Sequence, residues 1–101
     1  MDMLIRSQDK RYLVKLKSLT INKCFIYPDG GKKVVWNISD TERNTLGIYS
    51  TEEKAIRVID MIEEEYHRPT YVTNIEGEYE VYGRDVFHMP EDTEVIVWNQ
   101  Y

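Results

Sequence analysis

The chain of 101 residues is long enough for one domain with a single core, and its hydrophobic content of 42%, with twelve aromatic residues, excludes a disordered or low-complexity chain. Cys24 is the only cysteine, which excludes an internal disulfide and a cysteine-built metal site. The net charge of −5 hides a split, because residues 1–44 balance to +4 and residues 45–101 to −9.

In chain order, Met3–Ser7 (MLIRS) reads as a first strand and Ser7-Gln8-Asp9-Lys10 as a polar turn. Tyr12–Ile21 alternates in its first half, with Tyr12, Val14 and Leu16 on one face and Leu13, Lys15 and Lys17 on the other. Asn22-Lys23 reads as a tight turn or a bulge, after which Cys24–Tyr27 continues as strand. Pro28-Asp29-Gly30-Gly31 is the strongest turn signal, since proline presets one dihedral and glycine supplies positive φ. Lys33–Ser39 returns with Val34, Trp36 and Ile38 on one face and completes a β-hairpin. Asp40–Thr45 is polar loop, and Leu46–Tyr49 is a short strand that runs into the only convincing helix.

That helix, Thr51–His67, places Ala55, Val58, Ile59, Ile62 and Tyr66 on one stripe at 3.6-residue spacing. The stripe should pack on a sheet that includes Val34, Trp36, Ile38 and Ile48. Ser50 with Glu53 fits a capping box, and Pro69 ends the helix. Glu53–Arg57 and Glu64–Arg68 are favourable i, i+4 pairs on the wet side. Beyond the helix, Tyr71–Ile75 and Glu78–Tyr82 read either as a second hairpin or as an acidic loop. Val86–Met89 is a short strand, Pro90–Thr93 a turn and Glu94–Trp98 a final strand. The class is therefore α+β: a mainly antiparallel sheet with one long amphipathic helix across one face, in a single domain over residues 1–101.

Three blocks, Leu4–Lys10 (LIRSQDK), Leu46–Ile62 (LGIYSTEEKAIRVIDMI) and Val86–Val95 (VFHMPEDTEV), cover about a third of the chain. In sequence and order they resemble a set of small uncharacterised proteins encoded by Firmicutes bacteria, their phages and their integrated elements. The resemblance implies a small accessory protein of a mobile element rather than a metabolic enzyme. It brings no catalytic residues with it.

The chemical inventory points the same way. His67 and His88 lie in separate segments, and a helical Glu63–His67 pair reads as a surface histidine beside carboxylates sooner than as a metal site. The chain has no G-x-G-x-x-G, Walker or H-E-x-x-H motif, and Gly30-Gly31 is hairpin punctuation. No catalytic residues and no cofactor are assigned. The expected location is cytoplasmic: no signal peptide fits Met1–Ile5, no apolar run approaches a membrane span, and Cys24 fits a reduced, buried thiol.

Binding has better candidates. In the block from Arg6 to Arg11, Arg6, Lys10 and Arg11 could hold an anion while Ser7, Gln8 and Asp9 read hydrogen-bonding groups. The same residues could equally close a turn, with an Arg6–Asp9 ion pair. The helix start at Tyr49-Ser50-Thr51 is a weaker anion site, since Glu52 and Glu53 occupy its field. Glu63, Glu64 and Glu65 offer an acidic face to a positively charged protein. With Glu52, Glu53, Asp60, Glu76, Glu78 and Glu80 they could also imitate phosphates, although a solvated surface accounts for them. Nucleic acid is not expected as a partner, because the domain is acidic overall. The expected function is stoichiometric, non-enzymatic binding of a host protein that blunts a host defence, with homodimerisation as an option. The alternatives are sequestration of a small anionic, nucleotide-type signal and a purely structural role.

Overall fold

Two small sheets and one helix share a core in the computed structural model, which describes residues 3–67, 71–73, 79–81 and 86–97. The first sheet joins β1 (Leu4–Arg6) to β2 (Leu13–Lys15) through the predicted polar turn. The second is a meander of β3 (Thr20–Ile26), β4 (Lys33–Ser39) and β5 (Thr45–Tyr49), in the order β3-β4-β5. The helix α1 (Glu52–His67) follows β5 directly. β6 (Tyr71–Thr73) pairs antiparallel with β7 (Tyr79–Val81), as a hairpin requires. The final strand, β8 (Val86–His88), returns to the first sheet, whose order is β2-β1-β8. The class is α+β.

The core is built by alternation and helical spacing together. Ala55, Val58 and Ile62 of α1 are buried with Ile38, Leu46 and Tyr49 of the second sheet and Ile5 and Phe87 of the first. Met3, Met89 and Val95 complete the cluster. Burying each large aliphatic side chain stabilises the fold by roughly 1.5–3 kcal/mol relative to exposure. The Pro28–Gly30 turn closes β3 onto β4, with Asp29 at φ 51° and Gly30 at φ 80° supplying the left-handed steps.

Several expectations are corrected. Asn22-Lys23 is not a turn; it lies inside the unbroken strand β3, pairing with Asn37 and Trp36. The break falls at residues 16–19, where the chain passes from one sheet to the other. Ile48 faces outward and is 42% exposed, while Leu46 and Tyr49 are buried. The cause is a register shift: Ser39 pairs with Thr45 and Ile38 with Gly47, so Leu46 is an extra, bulged residue that turns inward. Tyr66 is exposed and Ile59 only partly buried, because three strands are too narrow to cover all sixteen residues of α1. Residues 95–97 form no strand, and Asp92–Glu94 is a 3-10 turn. Val95 alone is buried there, and Ile96 and Val97 are exposed. β8 runs parallel to β1, with Ile5 opposite Phe87.

The helix cap also moves by one residue. The Lys54 N–H donates to Thr51 Oγ1 at 3.1 Å, so Thr51 is the cap and the Ser50–Glu53 box is not formed. Arg57 reaches Glu64 at 2.9 Å, two turns on. Arg68, Pro69, residues 74–78 between the two strands of the second hairpin, and Trp98 lie outside the described residues, as does the His67 side chain.

Candidate functional site

The three sequence blocks converge at one end of β5. Gln8 follows β1 and lies along the open edge of β5 like a one-residue strand. Its N–H donates to the Leu46 carbonyl at 2.7 Å, and its Oε1 accepts from the Ile48 N–H at 3.0 Å. Its Nε2 donates to the carbonyls of Ile48 at 3.3 Å and Pro90 at 3.0 Å. The Tyr49 hydroxyl donates to the same Pro90 carbonyl at 2.8 Å. Burial, then the charges of Glu91, Asp92 and Glu94, push the Tyr49 hydroxyl well above the usual tyrosine range, so it remains a donor. Gly47 makes room for that ring: a Cβ there would lie 2.8 Å from Tyr49 Cε2.

The preceding turn is closed from within. Buried Ser7 donates its hydroxyl to Asp9 Oδ1 at 2.6 Å and accepts the Tyr12 N–H at 3.0 Å. Asp9 Oδ1 also accepts the Arg11 N–H at 3.0 Å. The Ser7 hydroxyl, followed by the Arg11 N–H, holds the Asp9 carboxyl below the usual carboxylate range. Arg6 donates to the Lys10 carbonyl at 3.1 Å, so the alternative Arg6–Asp9 pair is not the one formed. Lys10 adopts φ 68° with its side chain exposed. Of the candidates in this block, Ser7, Gln8 and Asp9 are thus engaged in holding the fold, and Arg6 braces the turn.

At the start of α1 the chain supplies its own anion. Asp92 accepts the Ser50 N–H at 2.7 Å and the Lys54 ammonium at 3.3 Å. Burial pushes its carboxyl upward, but the bonds from Ser50 and Lys54 outweigh this and hold it below the usual range. The anion site weighed at Tyr49-Ser50-Thr51 is therefore filled by Asp92. On the last turns of α1, Glu63 is exposed, Glu64 is tied to Arg57, and Glu65 is partly buried with an interaction of its own. These carboxylates and the Arg6–Lys10 block do not form one site.

What remains open is a groove of about 410 Å³ beside this junction. Gln8, Asp9, Tyr12 and residues 43–48 line it. Arg43 stands at its edge because of Asp40, whose carboxylate accepts the N–H groups of Glu42 and Asn44 and the Asn44 amide at 2.9–3.0 Å. Burial raises the Asp40 carboxyl, and the stronger effect of the Asn44 and Glu42 bonds leaves it lowered. That tight loop sets Arg43 at φ 67°, with no ion-pair or hydrogen-bond partner for its guanidinium among the described residues. Tyr12, in the same lining, is 42% exposed. Arg43 was not among the sequence candidates; its only signal was the Asp40–Asn44 spacing of a side-chain-closed turn. The groove can offer the Arg43 cation, the Tyr12 phenol and the Asp9 carboxylate, while the Gln8 amide in its wall is already committed to Ile48 and Pro90. No cluster of three metal-ligating residues occurs among the described residues, and none of their helices is long and apolar enough to cross a membrane. No protein-family model, curated protein or solved structure matches the chain.

Proposed function

We propose that the chain is a small binding protein that acts stoichiometrically, without turnover, and that the groove between Tyr12 and Arg43 is its binding site. The observation that carries this reading is that the Arg43 guanidinium, without a partner among the described residues, and the exposed Tyr12 line one groove of about 410 Å³. That volume falls within the range of small-molecule sites. Guanidinium forks a phosphate or carboxylate, and a phenol ring lies against a flat ring system. A small anionic ligand of nucleotide type fits this chemistry better than a protein face does. The resemblance of the three blocks to phage and mobile-element proteins supports the setting: a signal or host factor removed from use by capture.

Thermal-shift and calorimetric titration with mononucleotides, dinucleotides and inorganic phosphate tests this. Binding should raise the melting temperature with ligand concentration. Arg43→Ala should weaken binding at least about tenfold, as loss of a charged hydrogen bond does. A folded protein that ignores every probe would refute the small-ligand reading. The acid-rich helix would then support the host-protein reading, in which Glu63, Glu64 and Glu65 changed to Lys slow association at low salt.

A further inference from the structure

Two apolar features are open to solvent, one in the basic half of the chain and one where that half meets α1. β3 and β4 outrun β5, because the last rung shared with β5 is Trp36 with Tyr49. The rungs Cys24–Val35, Phe25–Val34 and Ile26–Lys33 thus form a two-stranded ribbon. Its end exposes Phe25, Ile26 and Tyr27, the last at 65%. Lys32 and Lys23 stand 4.2 and 5.9 Å from the centroid of the Phe25 ring. With Lys33, they have no carboxylate partner among the described residues. The other feature is a groove of about 320 Å³ lined by Leu16, Leu19, Ile59, Ile62 and Tyr66, with Lys17 and Glu63 at its rim. Lys17 faces Glu42 at 3.7 Å, which leaves Glu63 as the charge at the rim with no ion-pair partner among the described residues.

We propose that these are the two sides of one interface, in which a second copy of the chain seats its β3–β4 ribbon in this groove, apolar side chains together and lysine against Glu63. β3 is the outer strand of its sheet, with one edge unpaired among the described residues. Leu19 immediately precedes β3, Phe25 and Ile26 end it, and Tyr27 follows. Antiparallel alignment of β3 with its copy about a two-fold axis therefore carries each ribbon tip to the other copy's groove. Lys23 and Phe25 pair with Trp36 and Val34, on the same sheet face as Ile38 and hence the face that α1 covers. The ribbon thus presents them on the side where the groove lies. Each copy gives one ribbon and receives one, so assembly stops at two. A single-stranded nucleic acid fits less well, because Lys32 already covers the Phe25 ring on which a base would stack.

Sedimentation velocity of the full chain at low and high salt decides the matter. The expected result is a dimer that weakens as salt rises. Glu63→Lys alone, or Lys23→Glu with Lys32→Glu, should weaken it at least about tenfold, and the three changes together should restore it. Phe25→Ser with Tyr27→Ser should give a monomer with an unchanged circular dichroism spectrum, since both side chains are exposed. A wild-type chain that stays monomeric overturns the proposal, as does a dimer indifferent to these changes or weakened without rescue. A monomer whose ribbon binds oligo-uridine or anionic vesicles would assign the ribbon elsewhere and overturn it equally.

Discussion

Asp92 shows how one side chain ties distant segments together, and how acid should undo the tie. Its carboxyl is held below the usual value near 3.8 by Ser50 and Lys54 despite burial. A carboxylate lowered in the folded state contributes stability that is present above its unfolded pKa and lost as pH falls through the folded one. Asp9 and Asp40 are lowered as well and act in the same direction. Stability measured by denaturant titration should therefore be flat near neutrality and fall below about pH 4. Asp92→Asn should be less stable at neutral pH and show a shallower acid limb; an unchanged limb would mean that the tie carries no weight. The role of Gln8 could not be read from its polarity. An amide that replaces a strand rung is recognisable only once Leu46, Ile48 and Pro90 are brought beside it.

Among the elements, α1 was the most legible and its start the least. Its core face follows from spacing, and Ala55, Val58 and Ile62 are buried as that spacing requires. The cap does not follow, because Ser50-Thr51 offers two adjacent hydroxyls and only Thr51 reaches the Lys54 N–H. Thr51→Ala should cost about 0.5–2 kcal/mol in thermal or chemical unfolding. Glu53→Ala should stay within about 0.5 kcal/mol, as for an ordinary surface site. The reverse order would restore the Ser50–Glu53 box. Ile48 was misplaced because alternation counts residues and cannot see the bulge at Leu46. Residues 94–98 have the composition of a strand, yet the Asp92 tie turns the chain at Asp92–Glu94, and residues 95–97 gain no ladder. The polar block was legible as a cluster, whereas the groove needed Arg43, whose position depends on the backbone geometry imposed by Asp40.

Across the whole molecule, the parallel pairing of β1 with β8 joins the first described strand to the last and carried no local sign in the sequence. Ile5 faces Phe87 across that pair, and both are buried. Phe87→Ala should cost about 3–5 kcal/mol. Loops this long close late, whereas the β3–β4 hairpin and α1 join near neighbours. Stopped-flow kinetics should then show Phe87→Ala accelerating unfolding more than it slows folding, and Ile38→Val mainly slowing folding. Equal effects of both changes on folding would place β8 in the nucleus. The same pairing sets a timetable on the ribosome: Met3 and Ile5 emerge well before Phe87 and Met89, which complete the cluster that buries them. The nascent chain therefore carries Met3 and Ile5 without their full cover until β8 has been made, a window in which chaperones, rather than the finished fold, guard them.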